Sequence, residues 1–450
     1  MLGTAPMLVV RGSNAMRPTV QAVGLDFGTT NSAIAIIGSN GAPRLAHFRN
    51  AAADAPDSET FRSILFFEAT EETGGTESAL SVGNEAIRRY LAAAGNGRLI
   101  QSLKSFLAVR SFESTDIMGE DYSLGDLIAP ILIDLRNAAE AQFGALPSRV
   151  VVGRPVHFSD ARTPDDDGFA QARLDVAIRR AGWEEIIFEY EPVAAAYDYA
   201  SRITREEIVL IGDFGGGTSD FSILRLRPPG AAHDTRYEIL GNDGVAIAGD
   251  AFDGRMMHHV VAPALGRGSR YRSPYGMVLP VPTWPYTKLE RWHHLSLLKN
   301  PSTLSRLRAL QRDAIEPAKI AALVHVVDND LGYYLFRSVE KTKVELSSSE
   351  STEFAFSDPP TEISRIVGRR EFELWVAPRL QEIERCVDRL MAAVALSPQQ
   401  IDSVFLTGGS SFVPAVRRIF SVRFGPQKIQ LGNEFTSVAR GLALRALELS

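Results

Sequence analysis

The chain has 450 residues, enough for roughly two to four domain-sized units, and its 45% apolar and 23% charged residues are those of a globular protein. A formal net charge of −6 supplies no basic surface for nucleic acid. The lone cysteine, Cys386, excludes an internal disulfide, and no apolar run reaches the length of a membrane span, so neither nucleic acid nor membrane is an expected partner.

Residues 1–18 read as a flexible N-terminal extension, with Met16 as an alternative start. Its apolar cluster Met7–Val10 precedes Arg11, too short and in the wrong order for a secretory leader, so a cytoplasmic location is expected. A strand-rich opening runs from Val20 to about Phe67 and contains Val23-Gly24-Leu25-Asp26-Phe27-Gly28-Thr29-Thr30-Asn31. This is an apolar strand ending in Asp-Phe-Gly, a tight polar turn, and then a second strand from Ala33 to Ile37. The stretch Glu71–Glu77 reads as an exposed loop. Helical patterns follow at Asn84–Ala94 and at Leu124–Phe143, with Pro130 near the start of the second. A strand at 149–154 is closed by Pro155, and an amphipathic helix is expected from Ala170 to Ala181. After a strand at Ile186–Tyr190, Glu191-Pro192 opens another helix, with proline in the first turn where its missing donor costs nothing. The charged run Arg202–Glu207 breaks the apolar pattern and marks the boundary between a lobe I at 19–205 and a lobe II at 206–450.

The second half repeats the opening. Ile211-Gly212-Asp213-Phe214-Gly215-Gly216-Gly217-Thr218-Ser219-Asp220 is again a strand, an Asp-Phe-Gly turn and a strand reaching Leu226. A strand at Tyr237–Gly241 and a helix from about Phe252 come next. Gly, Pro and aromatic residues crowd Pro263–Pro285 and predict an irregular insertion near 263–305. Two helical stretches are expected after it, one before Pro317 and one from Asp330 to Leu346. Phe354-Ala355-Phe356 reads as a short strand. The long helix Arg370–Val394 carries Cys386 on an apolar face, with Pro378 as an early kink. A buried strand, Ile401–Thr407, then leads into Gly408-Gly409-Ser410.

A glycine-rich turn can aim successive backbone N–H groups into one concavity, and an aspartate at the strand end beside it suits a hydrated Mg²⁺ on a phosphate. Thr29, Thr30 and their amides would grip one end of a triphosphate and Gly215 to Thr218 the other, with Gly408-Gly409-Ser410 as a third glycine site. Other chemistries lack their signatures. No Gly-Lys pair exists for a Walker-type loop, no Gly-x-Gly-x-x-Gly follows a strand, and no serine elbow is present. The pairs His258-His259 and His293-His294 are adjacent residues whose side chains diverge on a helix, a poor frame for zinc.

In their order along the chain, Gly24-Leu25-Asp26-Phe27-Gly28-Thr29-Thr30, Glu191-Pro192, Asp213-Phe214-Gly215-Gly216-Gly217-Thr218, Gly249-Asp250-Ala251-Phe252-Asp253 and Leu406-Thr407-Gly408-Gly409-Ser410 resemble the ATPase domain of the heat shock protein 70 (DnaK-type) chaperones. These belong to the superfamily of actin, sugar kinases and heat-shock ATPases. The resemblance implies an α/β fold of duplicated ribonuclease H-like (actin-like ATPase) lobes with a nucleotide cleft between them, binding ATP or ADP with Mg²⁺. It also implies client proteins or a co-chaperone as partners. Carried over by residue, Asp26 and Asp213 would hold the hydrated metal. Gly28, Thr29, Thr30 and Asn31 on one side, and Gly215, Gly216, Gly217 and Thr218 on the other, would hold the phosphates. Lys104 would act at the γ-phosphate and Glu191 on the attacking water, while Glu340, Lys343 and Ser347, spaced along one helix face, would take the adenosine beside Gly408, Gly409 and Ser410.

The chain departs from the family in several places. Val344 and Phe412 stand where the family sandwiches adenine between arginines. Pro155 matches the family's switch proline, with Arg162 or Arg173 as its partner. The sequence stops soon after Leu444 with no peptide-binding β-sandwich, so an ATPase-only, truncated branch is expected. The alternatives are a small-molecule, sugar-type kinase, against which Lys104 and the Glu340/Lys343/Ser347 set argue, and an actin-like filament-forming ATPase.

Overall fold

The computed structural model describes residues 20–50, 56–69, 78–93, 96–228, 237–290, 298–432 and 436–450. The extension 1–18, the loop expected at Glu71–Glu77 and the His293-His294 pair lie outside the described residues.

Two sheets share one plan. The first takes β1 (Ala22–Asp26), β2 (Asn31–Ile37), β3 (Pro43–Leu45), β4 (Arg149–Arg154) and β5 (Glu185–Tyr190) in the order β5-β4-β1-β2-β3, with Phe61–Arg62 also pairing with β2. The second takes β6 (Glu207–Phe214), β7 (Ser219–Leu226), β8 (Tyr237–Val245), β9 (Ser403–Thr407) and β10 (Ile429–Leu431) in the order β8-β7-β6-β9-β10. In both, an antiparallel hairpin leads, one later strand adds in parallel to its first strand, and another adds in parallel beyond that. The Asp-Phe-Gly ends occupy the same register: Asp26 pairs with Ala33, and Asp213 with Asp220.

The helices that carry or back the cleft are α1 (Gly83–Ala92), α2 (Leu124–Phe143), α3 (Pro164–Arg180), α4 (Glu191–Ala200), α5 (Gly249–Met256), α6 (Gly332–Ser348), α7 (Arg369–Ala393), α8 (Pro414–Phe424) and α9 (Ser437–Glu448). Strand alternation divides the central hairpin between two cores. Val23, Leu25, Ile34 and Ile36 pack with Leu127, Ile131 and Leu174 of α2 and α3. Ala22, Ala35 and Ile37 face a second core with α4 and α9, which Val209, Ile211 and Leu224 of the second sheet also enter. That shared layer is lined with small residues because its backbones nearly touch. A Cβ on Gly24 would lie 2.2 Å from the Ala443 amide nitrogen, and one on Gly441 would lie 1.7 Å from the Ala194 carbonyl oxygen. The closing helix α9 therefore rests on β1, β2 and β4 of the first sheet, and α4 rests on β6 and β7 of the second.

Several local expectations change. Asp165-Asp166-Asp167 forms the first turn of α3, which starts before the expected Ala170, with Pro164 in the first turn and Thr163 and Asp166 forming a reciprocal capping box. Acidic side chains are favoured at that end of a helix. Pro317 starts a helix, Pro317–Asp328, so three helices stand where two were expected. The strand around Phe354 spans Ser351–Asp358 and pairs with Thr361–Gly368. Within 263–305, the hairpin Arg270–Arg272/Val278–Pro280 and the helix Trp284–Leu289 are regular, while 291–297 lie outside the described residues. Pro378 lies inside an unbroken α7, where Cys386 is buried.

Candidate functional site

The first turn is held by its own chain. The Gly28 amide donates to Ser32 Oγ at 3.2 Å, and Ser32 Oγ lies 2.8 Å from Ser63 Oγ. In the second turn the Gly215 amide donates to the Thr218 carbonyl at 3.0 Å. The start of α5 backs this turn, with the Asp250 amide donating to the Gly216 carbonyl at 2.9 Å. The two turns face each other closely: a Cβ on Gly216 would lie 2.9 Å from Thr30 Oγ1 and 3.5 Å from Thr29 Cβ. Gly408, where the chain leaves β9, has φ +83° and would place a Cβ 2.2 Å from the Phe214 carbonyl oxygen. Glycine is required there both for the backbone angle and for the approach to the second hairpin.

Between the turns lies a cavity of about 570 Å³. Asp26, Gly28, Thr29, Thr30, Asn31, Lys104 and Glu191 line it from the first half. Asp213, Gly215, Gly216, Thr218, Glu340, Lys343, Ser347, Gly408, Gly409 and Ser410 line it from the second. Gly217 does not line it; a Cβ there would instead meet Ser159 Oγ at 2.9 Å.

At the floor, Lys104 Nζ donates to Glu191 Oε1 at 2.5 Å, and both side chains are buried. Burial, reinforced by the charge of Glu191 and opposed by Lys104, pushes Asp26 up to about 7. Burial and the charges of Glu191, Asp26 and Asp220 push Asp213 well above the carboxylate range. Asp220 is pushed up to about 7 by burial and Glu191. Burial works against the Lys104 charge, yet Glu191 and Asp26 outweigh it and raise its pKa, so the ammonium stays protonated. Four carboxyl groups crowd one lysine, and the raised pKa values of Asp26, Asp213 and Asp220 register the cost of ionising them together, a cost that a divalent cation nearby would lower. Among the described residues, no group of three His, Cys, Asp or Glu side chains converges to ligate an ion directly. The donor set fits an ion that keeps waters and phosphate oxygens in its shell, as Mg²⁺ does.

The other end is built from α6 and the turn after Gly408. Lys343 Nζ donates to Asp253 Oδ2 at 2.8 Å, while Asp253 Oδ1 is buried with no hydrogen-bond partner. Burial and the Asp253 charge push Asp250 up to about 7. Glu340 faces Arg62 of the first half at 4.0 Å. Val344, 61% exposed, and Phe412 both line the cavity. Although arginine is absent from those two positions, Arg417 lies over the Phe412 ring at 4.6 Å, and Tyr333, Phe336 and Arg337 complete this wall.

Sequence reasoning passed over Asp220, Asp250 and Asp253 as site residues. Asp220 was legible in principle, because register places it opposite Asp213. Its decisive contact, accepting the Val156 amide at 2.7 Å, comes from the first half and has no local signal. The hydrogen bonds of Arg162 and Arg173 go elsewhere than Pro155. Arg154 Nε donates to the Pro155 carbonyl at 3.1 Å, Arg162 contributes its amide to Asp166, and Arg173 reaches a different loop. His258 pairs with Glu290 at 2.5 Å, and the His259 ring stacks on Trp375.

The family model described as Hsp70 protein matches residues 101–266 and 325–450, more than half of the chain. The chain is 27% identical over 95% of its length to the Chaperone protein DnaK of Thermotoga petrophila, and 26% identical over 95% to that of Thermosipho melanesiensis. It spans 59% of the length of each of these relatives. Among the described residues, no helix is long and apolar enough to cross a membrane.

Proposed function

Because this chain belongs to the Hsp70 family and has its actin-like ATPase fold, we propose that it binds ATP or ADP with Mg²⁺ in the cleft and hydrolyses ATP there. The observation carrying this reading is the buried Lys104–Glu191 pair at the floor of a cavity roofed by two facing Asp-Phe-Gly turns. Phosphoryl transfer needs positioning and charge neutralisation more than covalent chemistry, and these residues supply both. In this reading the amides of 28–30 and of Gly215, Gly216 and Thr218 hold the phosphates. Asp26 and Asp213 accept hydrogen bonds from water on the metal. Lys104 donates to the γ-phosphate, and Glu191, which holds that ammonium in place, orients the attacking water. The bound Mg²⁺ would neutralise phosphate charge. Glu340, Lys343 and Ser347 take the ribose, and Val344 and Phe412 flank the base.

The lobes in this reading are 19–205 and 206–450, with α4 and α9 packed between them. The relatives' name suggests a chaperone-type role; a cytoplasmic location, and protein clients or a co-chaperone as partners, complete the reading. The test is Mg²⁺-dependent release of inorganic phosphate from ATP by the purified chain. Absence of release, together with no ADP-induced rise in melting temperature, would contradict the proposal, and transfer to a sugar instead of water would favour a kinase.

A further inference from the structure

Lys104 sits in a single 3₁₀ turn, Leu103–Phe106, entered through Ser102 at φ +57°. The chain then runs through tight turns, with the Val109 amide donating to the Phe106 carbonyl at 3.1 Å and the Phe112 amide to the Val109 carbonyl at 3.1 Å. Leu103, Leu107 and Ala108 bury this segment in the core that α2 also enters, but the carbonyls of 106–112 are gathered by one side chain. That side chain is Arg173, on the neighbouring helix α3. Its Nη1 lies 3.2, 3.1 and 3.2 Å from the carbonyl oxygens of Phe106, Leu107 and Val109, and its Nη2 donates to the Phe112 carbonyl at 2.8 Å. Arg110 makes the reciprocal contact, donating from Nε to Asp166 Oδ1 at 3.1 Å and pairing with Asp165 in the first turn of α3. Both guanidinium groups lie over the Phe169 ring, at 4.6 Å for Arg110 and 5.3 Å for Arg173. α3 is itself tied to the segment after β4, since Asp167 Oδ1 accepts the Phe158 amide at 2.8 Å.

We propose that Arg173 is a positioning residue for hydrolysis: by gathering the carbonyls of 106–112 onto α3, it holds the Lys104 turn so that the ammonium meets Glu191 and the γ-phosphate. This rests on the ATPase reading above. A planar fork with several donors suits four carbonyls, and a lysine in its place offers one compact donor centre.

The experiment compares the parent with Arg173→Lys and Arg110→Gln, each first checked for an intact melting transition. For Arg173→Lys, kcat should fall roughly tenfold or more, because small displacements of a reacting group are costly, with KM for ATP within about threefold. Amide exchange over 103–112 should rise about tenfold, reporting local opening. Arg110→Gln should show the same pattern with a smaller loss. In a Lys104→Ala background, Arg173→Lys should lower the residual rate no further, whereas general damage to the fold would lower it again and overturn the inference. A parent that hydrolyses ATP while Arg173→Lys keeps its kcat defeats this inference alone. A parent that releases no phosphate defeats the ATPase reading, and unchanged exchange at 103–112 would then still overturn the positioning claim.

Discussion

The two Asp-Phe-Gly hairpins share strand order and register, yet opposite the aspartate the first carries Ala33 and the second Asp220. Both residues are 1% exposed. Ala33 fills the tight layer beneath α9, where a methyl fits and little else does. Asp220 turns to the first half and accepts the Val156 amide. The turns differ in the same sense: hydroxyl and amide side chains in Thr29, Thr30 and Asn31, bare glycine backbone in Gly215, Gly216 and Gly217. The duplication thus preserves the scaffold and divides the chemistry. One hairpin brings side-chain donors, and the other brings backbone donors, a second acid and a bond across the cleft. Lys104 and Glu191 stand between them.

The largest expected effect comes from removing what stands between the hairpins. Lys104→Ala should lower turnover roughly 100-fold or more, the scale of losing one preorganised charge donor, with ATP affinity within about threefold. Single-turnover phosphate release and calorimetry read the two quantities, and unchanged turnover would remove Lys104 from the chemistry. Ala33→Asp makes the first hairpin imitate the second. It buries a carboxylate in the layer shared with α9 and should cost about 3 kcal/mol or more in denaturant unfolding. Parent-like stability would mean that the layer is not closed as described. Asp220→Ala makes the second hairpin imitate the first. The Val156 amide then loses its acceptor, at a cost of about 1–3 kcal/mol, and Asp220→Asn, which keeps an acceptor, should lose less. Equal losses in the two variants would break the account of Asp220 as a link between the halves.

The smallest effect is expected away from both turns, where Tyr90 of α1 donates its hydroxyl to the Asp330 carbonyl. Burial, opposed by Lys299 and Arg98, pushes the Asp330 carboxyl up to about 6. A raised carboxylate pKa means the folded chain binds the proton more tightly than the unfolded chain. Stability is therefore greatest below the unfolded value and falls as pH rises to about 6. Asp330→Asn, which tolerates the φ of +52° at this position, should stabilise the protein by about 1–2 kcal/mol at pH 8, with the gain gone by about pH 4. A gain that does not vary with pH would contradict this assignment.

Both hairpins and the helices at 124–143 and 369–393 were legible because strand alternation, helical periodicity and Asp-Phe-Gly turns are local signals. Pro317 misled because proline both ends helices and begins them, and here it occupies the first turn. The helix was expected only from Ala170 because apolar periodicity begins there, but the three aspartates after Pro164 suit a helix start, and Thr163 supplies the cap. Asp220 and Arg173 could not be assigned from neighbours in sequence, because Val156 and the carbonyls of 106–112 meet them only after folding. Val344 and Phe412 were legible only through the resemblance, as the positions where the family has arginines, while Arg417 behind the Phe412 ring emerged from the turn geometry.

The central claim is that both turns hold one polyphosphate. A crystal structure with Mg²⁺ and a non-hydrolysable ATP analogue tests it most directly. The expected result is phosphate oxygens within hydrogen-bonding distance of amides both in 28–30 and among Gly215, Gly216 and Thr218, with Asp26 and Asp213 facing the metal's waters. Phosphates held by one turn alone, or a nucleotide seated outside this cavity, would contradict it.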